Sequence, residues 1–232
     1  MNLAGMKELT IGGINLRELS VDGVKVWQAG RLPAGYTEVE YIEATGTQYI
    51  DTGITGQNGL SVEFNFEALG MVGTDNSTII GCTNSSNQRM YLTLNRSSSS
   101  APFLWELGAS NYYVQKDAAY FGKLNYKYNV NISWSKSASV LTVDGTAPIN
   151  MKTLEFDDNN TNMYIFARNK GTSIDKYTHA RLYDMKMWTN GTLVRDFIPV
   201  KFRDGTVGMF DLVTNAFFKN KGTGSFTAGG AV

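Results

Sequence analysis

Glu38-Val39-Glu40-Tyr41-Ile42-Glu43 places carboxylates at alternating positions of one extended run. Side chains at i and i+2 of a strand share a face, and a retaining glycosidase holds its two carboxyl groups about 5–5.5 Å apart. Glu38 and Glu40 meet that spacing, while Glu43 joins them only across a bulge. The run also reads as the solvated face of a strand. That reading is adopted, because no tryptophan-rich cleft accompanies the acids. Glu63 and Glu67 are too widely spaced on one strand face to form a tight pair. Nucleophilic chemistry fails on inventory: Cys82 and His179 are the chain's single cysteine and single histidine, and such a centre needs a base held against its nucleophile. The same shortage removes an ordinary zinc site. Calcium needs only oxygens from loops. Asp157-Asp158-Asn159-Asn160 clusters such oxygens, with Asp157 and Asp158 as the metal candidates, and Asp75-Asn76 is a smaller cluster. Gly222-Thr223-Gly224 precedes no helix, so it is a turn and not a phosphate cradle. Apart from such a calcium ion, no cofactor is expected, and the chain is not expected to be an enzyme.

Binding chemistry is better supplied. A sugar offers C–H faces to aromatic rings and hydroxyls to planar polar groups. Trp105, Tyr112 and Tyr113, with Asn111, lie in or beside the irregular stretch 95–122, and Arg168-Asn169-Lys170-Gly171 opens another polar loop. Trp105, Asn111, Tyr112, Tyr113, Arg168 and Asn169 are therefore the candidate carbohydrate contacts. Trp105 also alternates with Phe103 and Leu107, which reads as core packing, and only one of Tyr112 and Tyr113 can face outward on a strand.

The elements that must carry these residues read as strands. Leu60-Ser61-Val62-Glu63-Phe64-Asn65-Phe66-Glu67 alternates apolar and polar side chains with period two. Residues 180–188 alternate again, with Arg181, Tyr183, Met185 and Met187 expected inward and Trp188 expected partly exposed or at a strand end. Val143-Asp144-Gly145-Thr146 is an Asp-Gly turn. No segment carries a helical stripe, and roughly 12–14 strands are expected in a two-sheet antiparallel sandwich. The 21 basic and 21 acidic residues are scattered, so no basic stripe exists to hold nucleic acid. No run of about 18 apolar residues is present, so no membrane insertion is expected. The N-terminus lacks a secretory pattern, so the expected route is synthesis in the cytoplasm with any release by lysis.

Residues 7–27 hold a short duplication. Glu8-Leu9-Thr10-Ile11-Gly12-Gly13-Ile14-Asn15-Leu16 is echoed ten positions later by Glu18-Leu19-Ser20-Val21-Asp22-Gly23-Val24-Lys25-Val26, closed by Trp27. Each copy is a hairpin signal, and two hairpins of this size cannot form an adequate core alone. Ile11, Ile14, Leu16, Val21, Val24, Val26 and Trp27 are the candidate docking residues of this segment. Gln28–Gly35 reads as a linker, which divides the chain into an N-terminal β-hairpin segment over 1–30 and a sandwich over 31–232.

Two distant segments, LPAGYTEVEYIEATGTQYIDTGI from Leu32 to Ile54 and KMWTNGTLVRDFIPVKFRDGTVGMFDLVTNAFFKNKGTGSFTAG from Lys186 to Gly229, carry a family likeness. Together they resemble the concanavalin A-like, laminin G-like modules of tail, baseplate and surface proteins of phages and prophages of gut bacteria. The resemblance spans residues 32–230. It implies an all-β fold, a jelly-roll sandwich of the lectin and glucanase type, with a short β-hairpin segment in front. It also implies that 38–43 forms a non-catalytic opening strand. The implied role is a non-enzymatic virion protein, homo-oligomeric, docked to other virion proteins through residues 1–30 and presenting the sandwich to host-surface glycans. The alternatives are a ligand-free capsid-decoration protein and, third, a glycan hydrolase.

Overall fold

The structure, a computed structural model, describes residues 9–11, 14–16, 18–21, 24–28, 31–73, 76–84, 86, 88–94, 103–108, 113–116, 124–137, 139–151 and 158–232. Before residue 31, across 103–116 and at Met151 it describes the backbone alone. The chain separates into two units, Met1–Tyr36 and Thr37–Val232.

In the first unit the ten-residue duplication becomes two hairpins. β1 (Leu9–Ile11) pairs with β2 (Ile14–Leu16), and β3 (Glu18–Val21) pairs with β4 (Val24–Gln28). Ile11 stands opposite Ile14, and Val21 opposite Val24.

The second unit continues with β5 (Tyr36–Glu38), β6 (Ile42–Thr45), β7 (Ile50–Thr55), β8 (Leu60–Met71), β9 (Ser77–Thr83) and β10 (Arg89–Leu94). Next come β11 (Phe103–Gly108), β12 (Tyr113–Lys116), β13 (Lys127–Trp134), β14 (Ser139–Val143), β15 (Ile149–Met151) and β16 (Asn162–Ile165). The chain closes with β17 (Arg168–Asn169), β18 (Ile174–Asp175), β19 (Thr178–Thr189), β20 (Thr192–Phe202), β21 (Val207–Asp211), β22 (Ala216–Lys219) and β23 (Thr227–Ala228). Of these nineteen strands, five are only two or three residues long, and the remainder fall within the expected count. No helix occurs among the described residues.

Two sheets result. The larger runs β15-β14-β13-β8-β19-β20-β21-β22, with β6 against β19 and β23 against β6. The smaller runs β12-β11-β10-β9-β16-β7, with the β17–β18 hairpin attached through a single parallel pairing of Asn169 with Cys82. The pairings among β6–β16 and β19–β23, and that of β17 with β18, are antiparallel.

The core lies between the sheets and follows from the period-two pattern. Leu60, Val62, Phe64, Phe66 and Ala68 of β8 are buried, and β13 sets Trp134, Ile132, Val130 and Tyr128 opposite the first four. The smaller sheet contributes Ile50, Ile80, Cys82, Met90, Leu92, Met163 and Ile165. Burying one such side chain contributes about 1.5–3 kcal/mol, so the alternation alone fixes which face of each strand turns inward. The Cys82 thiol is one of these core groups, and burial raises its pKa far above the ordinary range, which keeps it an inert apolar side chain.

The expected inward face of β19 is corrected by the structure. Leu182 pairs with Phe66 and Asp184 with Asn65, so two steps along β19 match one step along β8 and Tyr183 is the extra residue. This β-bulge changes the facing parity. Ala180 and Leu182 point into the core before it and Met185 and Met187 after it, whereas Arg181 and Tyr183 lie on the outer face.

The Asp-Gly turn forms as expected. Asp144 and Gly145 both have positive φ, at 48° and 67°, the left-handed pair that a type I′ turn requires.

Candidate functional site

The outer face of the larger sheet carries cross-strand rows of polar side chains, and the rows differ in how far they satisfy themselves. Nearest the bulge, Arg181 donates from Nε to Glu43 Oε2 at 2.7 Å and from Nη1 to Glu67 Oε2 at 3.1 Å. Tyr183 donates to the same Glu67 oxygen at 2.8 Å. The Arg181 guanidinium also covers the Tyr41 ring at 4.5 Å, and Lys127 Nζ lies 3.9 Å from the Tyr183 ring centre. The Glu43 hydrogen bond, helped by Glu67, holds Arg181 charged above its ordinary pKa. Burial, then the bond to Glu67, pushes Tyr183 up to about 12. This row is closed: Glu43 and Glu67 neutralise a shared cation, which is the wrong setting for a general acid and nucleophile. Glu40 lies apart from Glu43, near the chain's end, where it accepts from Gly230 N at 3.4 Å.

The next row is closed as well. Asn65 donates from Nδ2 to both oxygens of Asp184, at 2.8 Å each. Asn129 donates to Asn65 Oδ1 at 3.2 Å, and Asn131 to Asn129 Oδ1 at 3.2 Å.

Beyond Asn131 the face opens. One row runs Thr142, Asn131, Glu63, Lys186, and the next Val140, Ser133, Ser61, Trp188. The side chains of Glu63, Lys186, Ser61, Ser133, Thr142 and Trp188 make no hydrogen bond or ion pair to other described residues. Most of these residues line a shallow groove of about 300 Å³. Trp188 is partly exposed at one end of it, and Ser61 and Ser133 beside the indole are small, which leaves its surroundings open. Hydroxyls, a carboxylate and an indole with unused hydrogen-bonding capacity are what a sugar requires, with one apolar plate against its C–H face.

Sequence reasoning named other residues. Asn111 and Tyr112 lie outside the described residues. Trp105 of β11 pairs with Leu92 of β10, and its side chain lies outside the described ones. Tyr113 of β12 pairs with Glu106 of β11, and its side chain too lies outside the described ones. Arg168 forms a two-pronged pair with Asp175, at 2.8 and 2.7 Å, and approaches the Tyr91 ring at 5.5 Å. Asn169 is buried, donating to Asn162 O at 2.9 Å and accepting from Gly171 N at 2.8 Å. Both therefore hold the β17–β18 hairpin together. The side chains of Ile11, Ile14, Leu16, Val21, Val24, Val26 and Trp27 lie outside the described ones.

Of the calcium candidates, Asp157 lies outside the described residues, and Asp158 is exposed with Oδ1 accepting from Asn58 N at 2.8 Å. In the same corner Asn159 Oδ1, Gln88 Oε1 and Thr83 Oγ1 are buried without a protein partner. Two amide oxygens and a hydroxyl suit one buried water, whereas calcium takes six to eight oxygens with more carboxylate among them. Among the described residues no three acidic, histidine or cysteine side chains gather to hold a metal. Among the described residues the donor set does not fit calcium.

No family model matches the chain, and no curated protein matches its sequence. Solved structures do. A Bacteroides ovatus protein to which carbohydrate binding has been ascribed matches with a TM-score of 0.54 at 14% identity, over 83% of this chain and 60% of that one. The fold is the lectin-like jelly-roll sandwich. The heptameric SAP-like pentraxin of Limulus polyphemus matches at a TM-score of 0.45 and 13% identity, over 68% of this chain and 76% of its own. The extracellular region of zebrafish Gpr126/Adgrg6 matches at 0.43 and 11%, over 84% and 27%. On this jelly roll, the groove residues Glu63, Asn131 and Trp188 were not among the contacts expected from the sequence. Their outward phase was readable from strand alternation; their side-by-side placement required the strand order β13-β8-β19.

Proposed function

We propose that the chain is a non-enzymatic glycan-binding module of a phage virion. The first unit docks it to other virion proteins, and the outer-face groove of the jelly roll contacts host-surface glycan. The observation that carries the binding reading is the open half of the outer face, where Trp188 is set among polar side chains that the fold itself leaves without partners. The likeness to a protein with ascribed carbohydrate binding is consistent with it. The closed Glu43–Arg181–Glu67 row supports binding without hydrolysis. The virion setting rests on the resemblance of 32–54 and 186–229 to phage modules, and the docking role on two small tandem hairpins that cannot form a core alone. Homo-oligomeric display would let weak sites act together.

A glycan array probed with the whole protein and with Trp188→Ala tests the reading. Loss of the aromatic plate is expected to weaken binding about tenfold or more, on the order of 1.4 kcal/mol. Equal binding by both proteins, at unchanged thermal stability, would remove the groove from the account.

A further inference from the structure

We propose a second, separate binding groove at the seam of the sandwich, specific for a carboxylate-bearing pyranose. The two sheets end in edge strands that approach each other: among the described residues β7 pairs only with β16, and β22 only with β21. Between them lies a groove of about 570 Å³, larger than the one on the outer face, lined in part by Asp51, Gly53, Phe217, Lys219, Asn220 and Lys221.

The groove carries more positive than negative charge: Lys219 and Lys221 line it with a single carboxylate, Asp51. Neither Lys219 nor Lys221 forms an ion pair with a described residue. The neighbouring acids are already engaged, Asp204 in part through its attraction to Lys219. Asp51 Oδ1 accepts from Gly53 N at 2.9 Å and Asn162 Nδ2 at 3.0 Å, and Asp204 accepts from Thr206 N at 2.8 Å. Arg195, behind Gly53, donates to Thr52 O at 3.0 Å and sits 3.6 Å from buried Asp211. Lys219 and Lys221 therefore line the groove against Asp51, with exposed Asp204 acting on Lys219 from outside the lining.

The walls are fixed in advance. Asn220 lies between the two lysines and makes four hydrogen bonds: it accepts from Tyr49 N at 3.1 Å and Gly222 N at 2.8 Å, and donates to Thr223 O at 3.3 Å and Gly224 O at 3.0 Å. Phe217 is half-buried and lies over Gly208, where an added Cβ would fall 2.8 Å from the ring. Lys219 Nζ stands 5.8 Å from the Phe217 ring centre. A half-buried aromatic face beside two exposed lysines matches a sugar ring carrying a carboxylate: the ring lies against Phe217 and the carboxylate meets Lys219 and Lys221. A neutral sugar would gain nothing from the excess positive charge.

The test titrates the whole protein with oligogalacturonate and with the neutral galactan oligomer of equal length, at low and high salt. The acidic oligomer is expected to bind about tenfold tighter at low salt, with the preference shrinking as salt rises. Lys219→Gln combined with Lys221→Gln should abolish the preference, while Lys136→Ala, at an exposed lysine just past the end of β13, should leave it intact. Equal affinity for the two oligomers would overturn the proposal, as would a preference that survives the double substitution. A preference lost in Trp188→Ala would also overturn it, by moving the acidic ligand to the outer-face groove. Failure of all neutral glycans to bind would count against the outer-face reading and leave the seam standing.

Discussion

At the scale of single residues, what separates structural from functional polar groups on this surface is whether the fold satisfies them. Arg181, Glu43, Glu67 and Tyr183 satisfy one another, and their chemistry should appear in stability. Tyr183 has its folded pKa raised to about 12 from an ordinary 10.0. A raised pKa means the folded state holds the proton more tightly, so this contribution is complete below pH 10 and is lost as pH rises toward 12. Tyr183→Phe is expected to remove that alkaline loss, seen as a flatter fall in unfolding midpoint over this window than in the parent protein. Arg168 and Asn169 show why residue type alone misleads: both read as polar loop contacts in sequence. Asp175 becomes the partner of Arg168 only when Ala167–Thr178 folds back as the β17–β18 hairpin. Trp188 was legible as partly exposed from its place in the alternation. Glu63 and Asn131 were legible only as outward, since nothing local in the sequence says that their strands are neighbours.

At the scale of elements, the decisive feature is the bulge at Tyr183. The alternation of β8 is uninterrupted and its inward face was readable directly. That of β19 was misread because a bulge is a property of a strand pair: the extra residue is visible only against the β8 register. Deleting Tyr183 should force either Ala180 and Leu182 or Met185 and Met187 onto the outer face. The expected cost is about 3 kcal/mol or more, from one pair of apolar side chains losing burial, measured by urea unfolding. Tyr183→Ala keeps the extra residue and should cost roughly 1 kcal/mol through its lost hydrogen bond. A second element-scale expectation concerns the turn between β21 and β22. Fully buried Asp211 accepts from Asp196 N at 2.8 Å, Val213 N at 3.1 Å and Thr214 Oγ1 at 2.5 Å, and lies 3.6 Å from Arg195. Asp211→Ala leaves that guanidinium without its buried counter-charge and should destabilise by about 3–5 kcal/mol, read from the same urea titration.

At the scale of the molecule, the jelly roll supplies two chemically different surfaces: the open outer face around Trp188 and the cationic seam between β7 and β22. The sandwich architecture followed from alternation and turn chemistry, because those are local. Both surfaces depend on which strands are neighbours, a long-range property that composition does not carry. The tandem hairpins of the first unit belong to the docking proposal. Replacing Val24 and Val26 by Asp is expected to abolish incorporation into particles, scored by immunoblot of purified virions, while isolated protein keeps its glycan binding. If the Trp188 groove is the glycan contact, the indole N–H resonance of Trp188 responds to bound glycan. The chain has four tryptophans, and Trp188→Phe assigns the signal of interest. Adding a glycan selected on the array should shift the Trp188 indole resonance in a saturable way and leave that of buried Trp134 in place. A bound glycan that leaves the Trp188 signal unmoved would contradict the account.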